Sequence, residues 1–405
     1  MTQRNKLTRL VAKSGAALLL AGGFAVAGDA GSAKSVSFDD KNPVEPAWSP
    51  CDLYDLTTLY SNSDNPFIQK VKLQGRYHGQ YEHIDVDGGP FTDDASWNHR
   101  RFRLGAKIDL LNNMQFAFNY NVANGRQFTQ GDFIDGLEDM TLKIKPSFVD
   151  SVTLGKMKNK ITREESISSN DIKTLERSHF VNSYNAGRPW GVEVGQEAFG
   201  LKHAFGLFTG GAYDNDGMQS RFPNFENGGL MATYRAEKDL GDASLHFDYQ
   251  YSDWTGRDNV SRYLGSNARN LFALGYVKEG DLGGLLVDLM YADDIRQAAG
   301  NAALDSGAFG LTILPHYNIT DNLELVGRYA YASQVDDENP FDNVRGTNSD
   351  WVQDLHTFYV GLNYYICGSN LKTMLGYEYA TGESIRNGGT DYNAGAFSFA
   401  VRTKW

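Results

Sequence analysis

The chain has 405 residues, a formal net charge of −12, 13% aromatic side chains and 43 glycines. Such an acidic balance argues against nucleic acid as a partner. The mean hydropathy of −0.45 and the lack of any run of roughly twenty apolar residues after the first segment exclude a bundle of membrane helices. They leave a barrel open, because a membrane strand gives only every second side chain to lipid.

Arg4, Lys6, Arg9 and Lys13 precede the apolar stretch from Ala16 to Val26, which ends in Ala25-Val26-Ala27. This is the pattern of a secretory signal over residues 1–27, cut after Ala27 and too short to span a bilayer. A polar leader over 28–66 follows, with a short helix at Asp52–Tyr60. Asp52 would cap it, and Leu53, Leu56 and Leu59 would share a face.

From residue 67 to 405 the pattern becomes strand, loop, strand, turn. Strands are expected near 68–83, 97–110, 114–123, 137–145, 151–160, 190–197, 201–210, 229–238, 244–254, 271–279, 284–294, 308–319, 323–334, 355–366, 371–381 and 396–405. The even number, about sixteen, and connections that alternate short with long predict an all-β, transmembrane antiparallel barrel. Its short turns would be periplasmic, its long loops extracellular, and its home the bacterial outer membrane. Acidic residues cluster in the expected loops, as at Glu82–Asp87, Thr92–Asp94, Asp293-Asp294 and Asp336–Glu338.

Alternation within each strand assigns the faces. Val71, Leu73, Tyr77 and Tyr81 of the first strand point to lipid; Lys70, Lys72, Gln74, Arg76 and His78 point inward. Arg101, Arg103 and Lys107 on the second strand, Lys143 on the fourth, and Arg235, Arg328, Lys372 and Arg402 farther on also fall inward. Two readings stand. Rings of Lys and Arg along a pore favour anions, or the same cations pair across the lumen with Glu324, Glu378 and Asp109. The last strand alternates cleanly and ends on Trp405, like the C-terminal signal by which the barrel assembly machinery recognises its substrates. Lipid and lipopolysaccharide would surround the outer face.

The segment 162–189 is too long for a passive turn. Ser168-Ser-Asn-Asp171, followed by Ile172, Leu175 and Phe180, combines capping residues with helical offsets. Folded inward, it would set Arg163, Lys173, Arg177, His179 and Arg188 at a constriction; left outside, it would bind lipopolysaccharide or nothing. Cys51 and Cys367 both fall on the periplasmic side, where a disulfide is expected, with two free thiols as the other reading.

Catalytic motifs are absent: there is no nucleophile elbow, phosphate-binding loop or metal-spaced His/Cys set, and Ser178-His179 is a poor pair. No cofactor and no metal are expected; Asp336–Glu338 reads as solvated charge. Besides an anion pore, a cation or sugar pore and a plugged barrel acting as receptor or adhesin remain open, and a barrel enzyme is the remotest reading.

Asn98-His-Arg-Arg-Phe-Arg-Leu-Gly105, Val152-Thr-Leu-Gly-Lys-Met-Lys158, Leu175-Glu-Arg177 and Gly187-Arg-Pro-Trp-Gly-Val-Glu-Val194 resemble the phosphate-selective porin O and P family. The resemblance implies a homotrimer of sixteen-stranded anion channels with inward-folded loops, passing small anions such as phosphate or polyphosphate by passive diffusion. It also implies roles for Arg101, Arg103, Lys156, Lys158, Arg177 and Arg188. Strict alternation from Val152 and Leu154, however, turns Lys156 and Lys158 outward.

Overall fold

The computed structural model describes residues 49–87, 94–125, 127–128, 136–184, 187–209, 230–252, 268–295, 307–334, 352–384 and 390–405. The expected signal over 1–27, most of the leader and the acidic Asp336–Glu338 segment lie outside them. Sixteen strands form the wall: β1 Ile68–Asp87, β2 Asp94–Leu110, β3 Met114–Gly125, β4 Leu137–Ile144, β5 Ser151–Lys156, β6 Trp190–Ala198, β7 Leu201–Thr209 and β8 Leu230–Asp239. The second half runs β9 Ala243–Ser252, β10 Ala268–Gly280, β11 Gly283–Ile295, β12 Gly307–Asn318, β13 Leu323–Gln334, β14 Val352–Tyr365, β15 Leu371–Ser384 and β16 Thr390–Lys404. Each pairs antiparallel with its neighbours, and β16 pairs with β1 to close the barrel. Closure leaves no free sheet edge, the condition for strands to cross lipid.

The closing seam shows why the alternation matters. Arg402 of β16 lies opposite His78 of β1, which lies opposite Arg101 of β2. All three side chains are buried on the inner face, while Leu73, Tyr81 and Leu104 stand exposed on the outer one. Trp405 exchanges two backbone hydrogen bonds of 3.1 Å with Gly75. Its ring covers that glycine so closely that a Cβ there would sit 2.4 Å away.

Three elements depart from the sequence expectation. The strand expected over 151–160 stops at Lys156, because the chain turns inward. Gly155 has φ +123, a conformation glycine adopts freely. It reverses the alternation, so that Leu154 is exposed and Lys156 is buried with its ammonium on the Leu137 carbonyl at 2.8 Å. The acidic Glu82–Asp87 and Asp293-Asp294 segments belong to strands β1 and β11 rather than to loops. The leader helix is a 3-10 helix, Pro50–Thr57, capped by Ser49 rather than Asp52; Asp52 closes the capping box from the N3 position.

That helix and a short strand, Thr58–Ser61, cover the foot of β1 below the end of β16, with Ser61 opposite Lys70. Tyr54 hydrogen-bonds Thr403 at 2.8 Å, and the sulfurs of Cys51 and Cys367 lie 2.08 Å apart. A non-reduced digest is expected to yield the linked Cys51 and Cys367 peptides by mass spectrometry. Full alkylation of both without reductant would contradict that.

Candidate functional site: a lumen divided by an inward-folded loop

The segment 157–184 leaves the top of β5 and lies against the inner faces of distant strands, and 187–189 lead into β6. Two short helices punctuate it, α1 Arg163–Ser166 and α2 His179–Tyr184. No helix forms over 172–178, where the offsets of Ile172 and Leu175 had predicted one, because that backbone is bonded to the wall. Lys372 donates to the Ile172 carbonyl at 2.9 Å, Asn363 to that of Lys173 at 2.9 Å and Arg328 to that of Glu176 at 2.6 Å. Arg402 reaches the carbonyls of Ser169 and Leu175. A helix would have kept those acceptors for itself.

The front of the loop is held in the opposite polarity. The backbone N–H of Thr162 donates to Asp248 at 3.0 Å, and those of Arg163 and Glu164 donate to Asp288 at 3.2 and 2.7 Å. Wall carboxylates thus satisfy donors that a helix start leaves unpaired. Thr162 holds φ +74 while its hydroxyl caps Glu165, a strained position that the surrounding bonds enforce.

Apolar packing completes the seat. Ile161, Phe180, Val181 and Tyr184 join Leu271, Met290, Ala308, Ala332 and Leu355 in one buried cluster. Leu175 joins a second with Val326, Tyr359 and Met374. Side chains of this size contribute about 1.5–3 kcal/mol each when fully buried. The inner face of β10 to β16 therefore offers the loop apolar patches between the polar and charged side chains that bond its backbone. Phe180 sits on Gly310, where an added Cβ would come within 2.5 Å of its ring. Gly310→Val is expected to lift α2 and raise single-channel conductance in a planar bilayer while leaving the barrel's heat-modifiable gel mobility intact. Unchanged conductance would show that Phe180 is not a keystone.

The cations expected to line the pore fall into two groups. The first is ion-paired with carboxylates. Arg328 lies 2.6 Å from Glu378 and 3.4 Å from Glu164; Arg235 is 2.8 Å from Glu193; Arg101 is 3.7 Å from Glu176. Arg103 pairs with Glu138, which also holds Arg188 at 2.7 Å; Arg177 is 2.9 Å from Glu165, and Lys173 is 2.5 Å from Glu324. Arg76 lacks an ion pair among the described residues and donates instead to the neutral Ser169 hydroxyl at 2.7 Å.

Within the loop, burial alone would raise the Glu176 carboxyl, but Arg100 and Arg101 hold it well below the usual carboxylate range. Burial would likewise lower the Arg188 guanidinium, yet Glu138 and Asp139 raise it. Burial lowers Lys158 to about 7 despite Glu165 at 3.1 Å. Lys158 thus turns back into the loop.

The second group is uncompensated. Among the described residues Lys72, Lys107, Lys143 and Lys160 form no ion pair, and neither does the Arg163 side chain. Lys72 and Lys107 stand directly opposite each other on β1 and β2. Lys160, on the loop, feels Glu193, Arg235, Lys143 and Asp139, which places it across from β4, β6 and β8. A cavity of about 450 Å³ opens at the short-turn end, lined by Asp109, Gln115, Lys143 and Lys145 among others.

Several of these partners gave no signal in the sequence. Arg100 reaches Glu176 at 2.6 Å because the register slips between His78 and Gly79. A bulge there lets Arg100 and Arg101 both serve the inner face. Asp248, Asp288 and Glu164 matter only through where the loop lands. The Ser178 hydroxyl, half of the one Ser/His pair the sequence offered, is donated to Glu164 at 2.6 Å. No metal-holding group of carboxylates, histidines and cysteines occurs among the described residues.

Residues 71–223 match the family described as phosphate-selective porin O and P. No curated protein matches the chain. Among solved structures, the anion-selective porin from Comamonas acidovorans is similar at TM-score 0.56 and 12% identity, over 83% of this chain and 99% of that one. The outer membrane channel DcaP of Acinetobacter baumannii is similar at 0.53 and 14%, over 83% and 97%. The trimer form of OmpT from Vibrio cholerae is similar at 0.52 and 15%, over 83% and 99%.

Proposed function

We propose that this outer-membrane porin, tied to the phosphate-selective porin O and P family through residues 71–223, is a passive diffusion channel preferring small anions of phosphate's size. The route runs between the loop and the wall of β1 to β8. It works as a homotrimer, a reading supported by the trimeric form of one similar structure. No cofactor, energy source or chemical step is involved.

The observation that carries the reading is the facing pair Lys72 and Lys107. Like charges directly opposite on neighbouring strands destabilise a sheet, and neither lysine pairs with a carboxylate among the described residues. Glu138, Glu193, Glu324 and Glu378 instead neutralise other cations. Lys143 and Lys160 extend the positive field along the same side. Several weakly binding cations in series attract an anion without trapping it, whereas the arginines act as struts that hold the loop and the wall in shape.

The test is the zero-current potential of the purified protein in a planar bilayer under a potassium chloride gradient, with phosphate then added. An anion-selective sign, with phosphate reducing the chloride current, is expected. A cation-selective sign would overturn the reading, and absence of current would point to a plugged barrel.

A further inference from the structure

The strand position beside β1 is shared by the two ends of the chain. β16 pairs with β1 from Asn393 opposite Asp87 down to Lys404 opposite Arg76, and Trp405 closes on Gly75. β1 continues below that point to Ile68, where β2 takes its other edge. The edge that β16 no longer reaches is covered by the leader strand, with Thr58 opposite Lys72, Tyr60 opposite Val71 and Ser61 opposite Lys70. Without it, that stretch of β1 would present unpaired backbone N–H and C=O groups.

Little but the disulfide holds the leader there. Its 3-10 helix buries no residue, and its four-residue strand is exposed throughout. A strand pairing of that length is marginal by itself. The noncovalent anchors are a 2.8 Å hydrogen bond between the Tyr54 and Thr403 hydroxyls and one of 2.8 Å from the Asn62 N–H to the Gln69 carbonyl. The Cys51–Cys367 bond pins the far end to the turn between β14 and β15, while the chain itself ties the near end to β1.

Two of the residues that the leader pairs with are the inner-face lysines 70 and 72. Lys72 stands between Thr58 on the leader and Lys107 on β2. Like charges so placed push apart, so the backbone on the leader's side is what keeps Lys72 facing Lys107. We infer that the leader strand positions Lys72, and that the channel's anion preference therefore depends on the oxidation state of Cys51 and Cys367. This rests on the reading of Lys72 and Lys107 as the anion-attracting pair. Once the bond is reduced the leader leaves the edge, the foot of β1 frays, and Lys72 moves away from Lys107 into the vacated position. The barrel above stays closed, because β16 and β1 remain paired from Arg76 upward.

Both cysteines are half-buried, within reach of a water-soluble trialkylphosphine. The phosphine supplies two electrons and takes up the oxygen of a water molecule, whose two protons go to the sulfurs; the S–S bond becomes two thiols and the phosphine its oxide. The test is the zero-current potential of the full chain in a planar bilayer under a potassium chloride gradient, before and after this reagent is added to both chambers. The reductant meets a barrel already assembled, so folding does not enter. Wild type is expected to start anion-selective and to lose about threefold of its chloride preference on reduction, the share of one lysine. Lys72→Met is expected to start lower and not to respond.

Unchanged wild-type selectivity, with alkylation of both thiols confirmed by mass spectrometry, would overturn the inference and leave the anion reading standing. An equal response in Lys72→Met would also overturn it, since the leader would then act on the wall and not through the lysine. A cation-selective potential before any reductant is added would remove the anion reading itself.

Discussion

Reversing three charges together, Lys72→Glu, Lys107→Glu and Lys143→Glu, is expected to change the channel from anion-selective to cation-selective. An anion passing about 6 Å from one lysine gains roughly 0.7 kcal/mol at the dielectric constant of water and about 3 kcal/mol at an effective value of 20. Even the lower figure is about a threefold preference, and replacing ammonium by carboxylate applies it twice with the opposite sign. Fold loss is not expected to accompany the switch, because none of the three has a carboxylate partner to strand and the facing Lys72 and Lys107 already repel. Zero-current potentials of wild type and variant under the same salt gradient decide it. An unchanged sign would mean that the route runs elsewhere or that the mouth controls selectivity. Adding Lys160→Glu on the loop should deepen the inversion only if the loop forms the opposite wall.

The wall was legible because it depends on local signals. Alternation in β1, β2 and β16 assigned Leu73, Arg101, Arg103 and Arg402 to their faces, and the parity of turn lengths fixed the direction of each strand. Gly155 marks the limit: alternation across it points Lys156 outward, and only the backbone conformation at the glycine reverses that. From β10 to β16 the inner face carries Ala273, Met290, Ala308, Ala332 and Leu355. Around those residues alternation weakens, since both faces are apolar, although Asp288, Glu324, Arg328, Lys372 and Arg402 stand on the same inner face. That weakness signals a buried lumenal surface, but it does not say which segment covers it.

The site was less legible for a different reason. Sequence assigned cations to the lumen and offered Glu324, Glu378 and Asp109 as carboxylates they could pair with, without saying which cation each would take. Arg328 reads as a pore cation until the loop brings Glu164 beside it; Lys72 reads identically and remains unpaired. The difference lies in loop placement, a set of contacts between residues from 76 to 233 positions apart, and no local pattern encodes it. Capping residues at Ser168–Asp171 announced a helix, but Arg402, Lys372, Asn363 and Arg328 of the wall claim the carbonyls of Ser169, Ile172, Lys173, Leu175 and Glu176 in its place.

Arg328→Met is therefore expected to act on the loop rather than on the barrel. Arg328 is buried between Glu164 and Glu378 and also donates to Thr174 and the Glu176 carbonyl. Removing it takes away the guanidinium that Glu164 and Glu378 share, a loss of about 3–5 kcal/mol for a buried ion network. The barrel can shed that cost without unpairing a strand, because Glu164 belongs to the loop and can leave with it. Glu164 still accepts from the backbone N–H and hydroxyl of Ser178, so it would carry α1 and the start of α2 together. The expected record is a larger, noisier single-channel conductance with heat-modifiable mobility retained. The triple variant Arg328→Met, Glu164→Gln, Glu378→Gln also removes the two charges that faced the guanidinium and should restore much of the quiet state. If the single variant conducts like wild type, the apolar seat of Phe180, Val181 and Leu175 holds the loop alone, and the ion network is a consequence of its position rather than a cause.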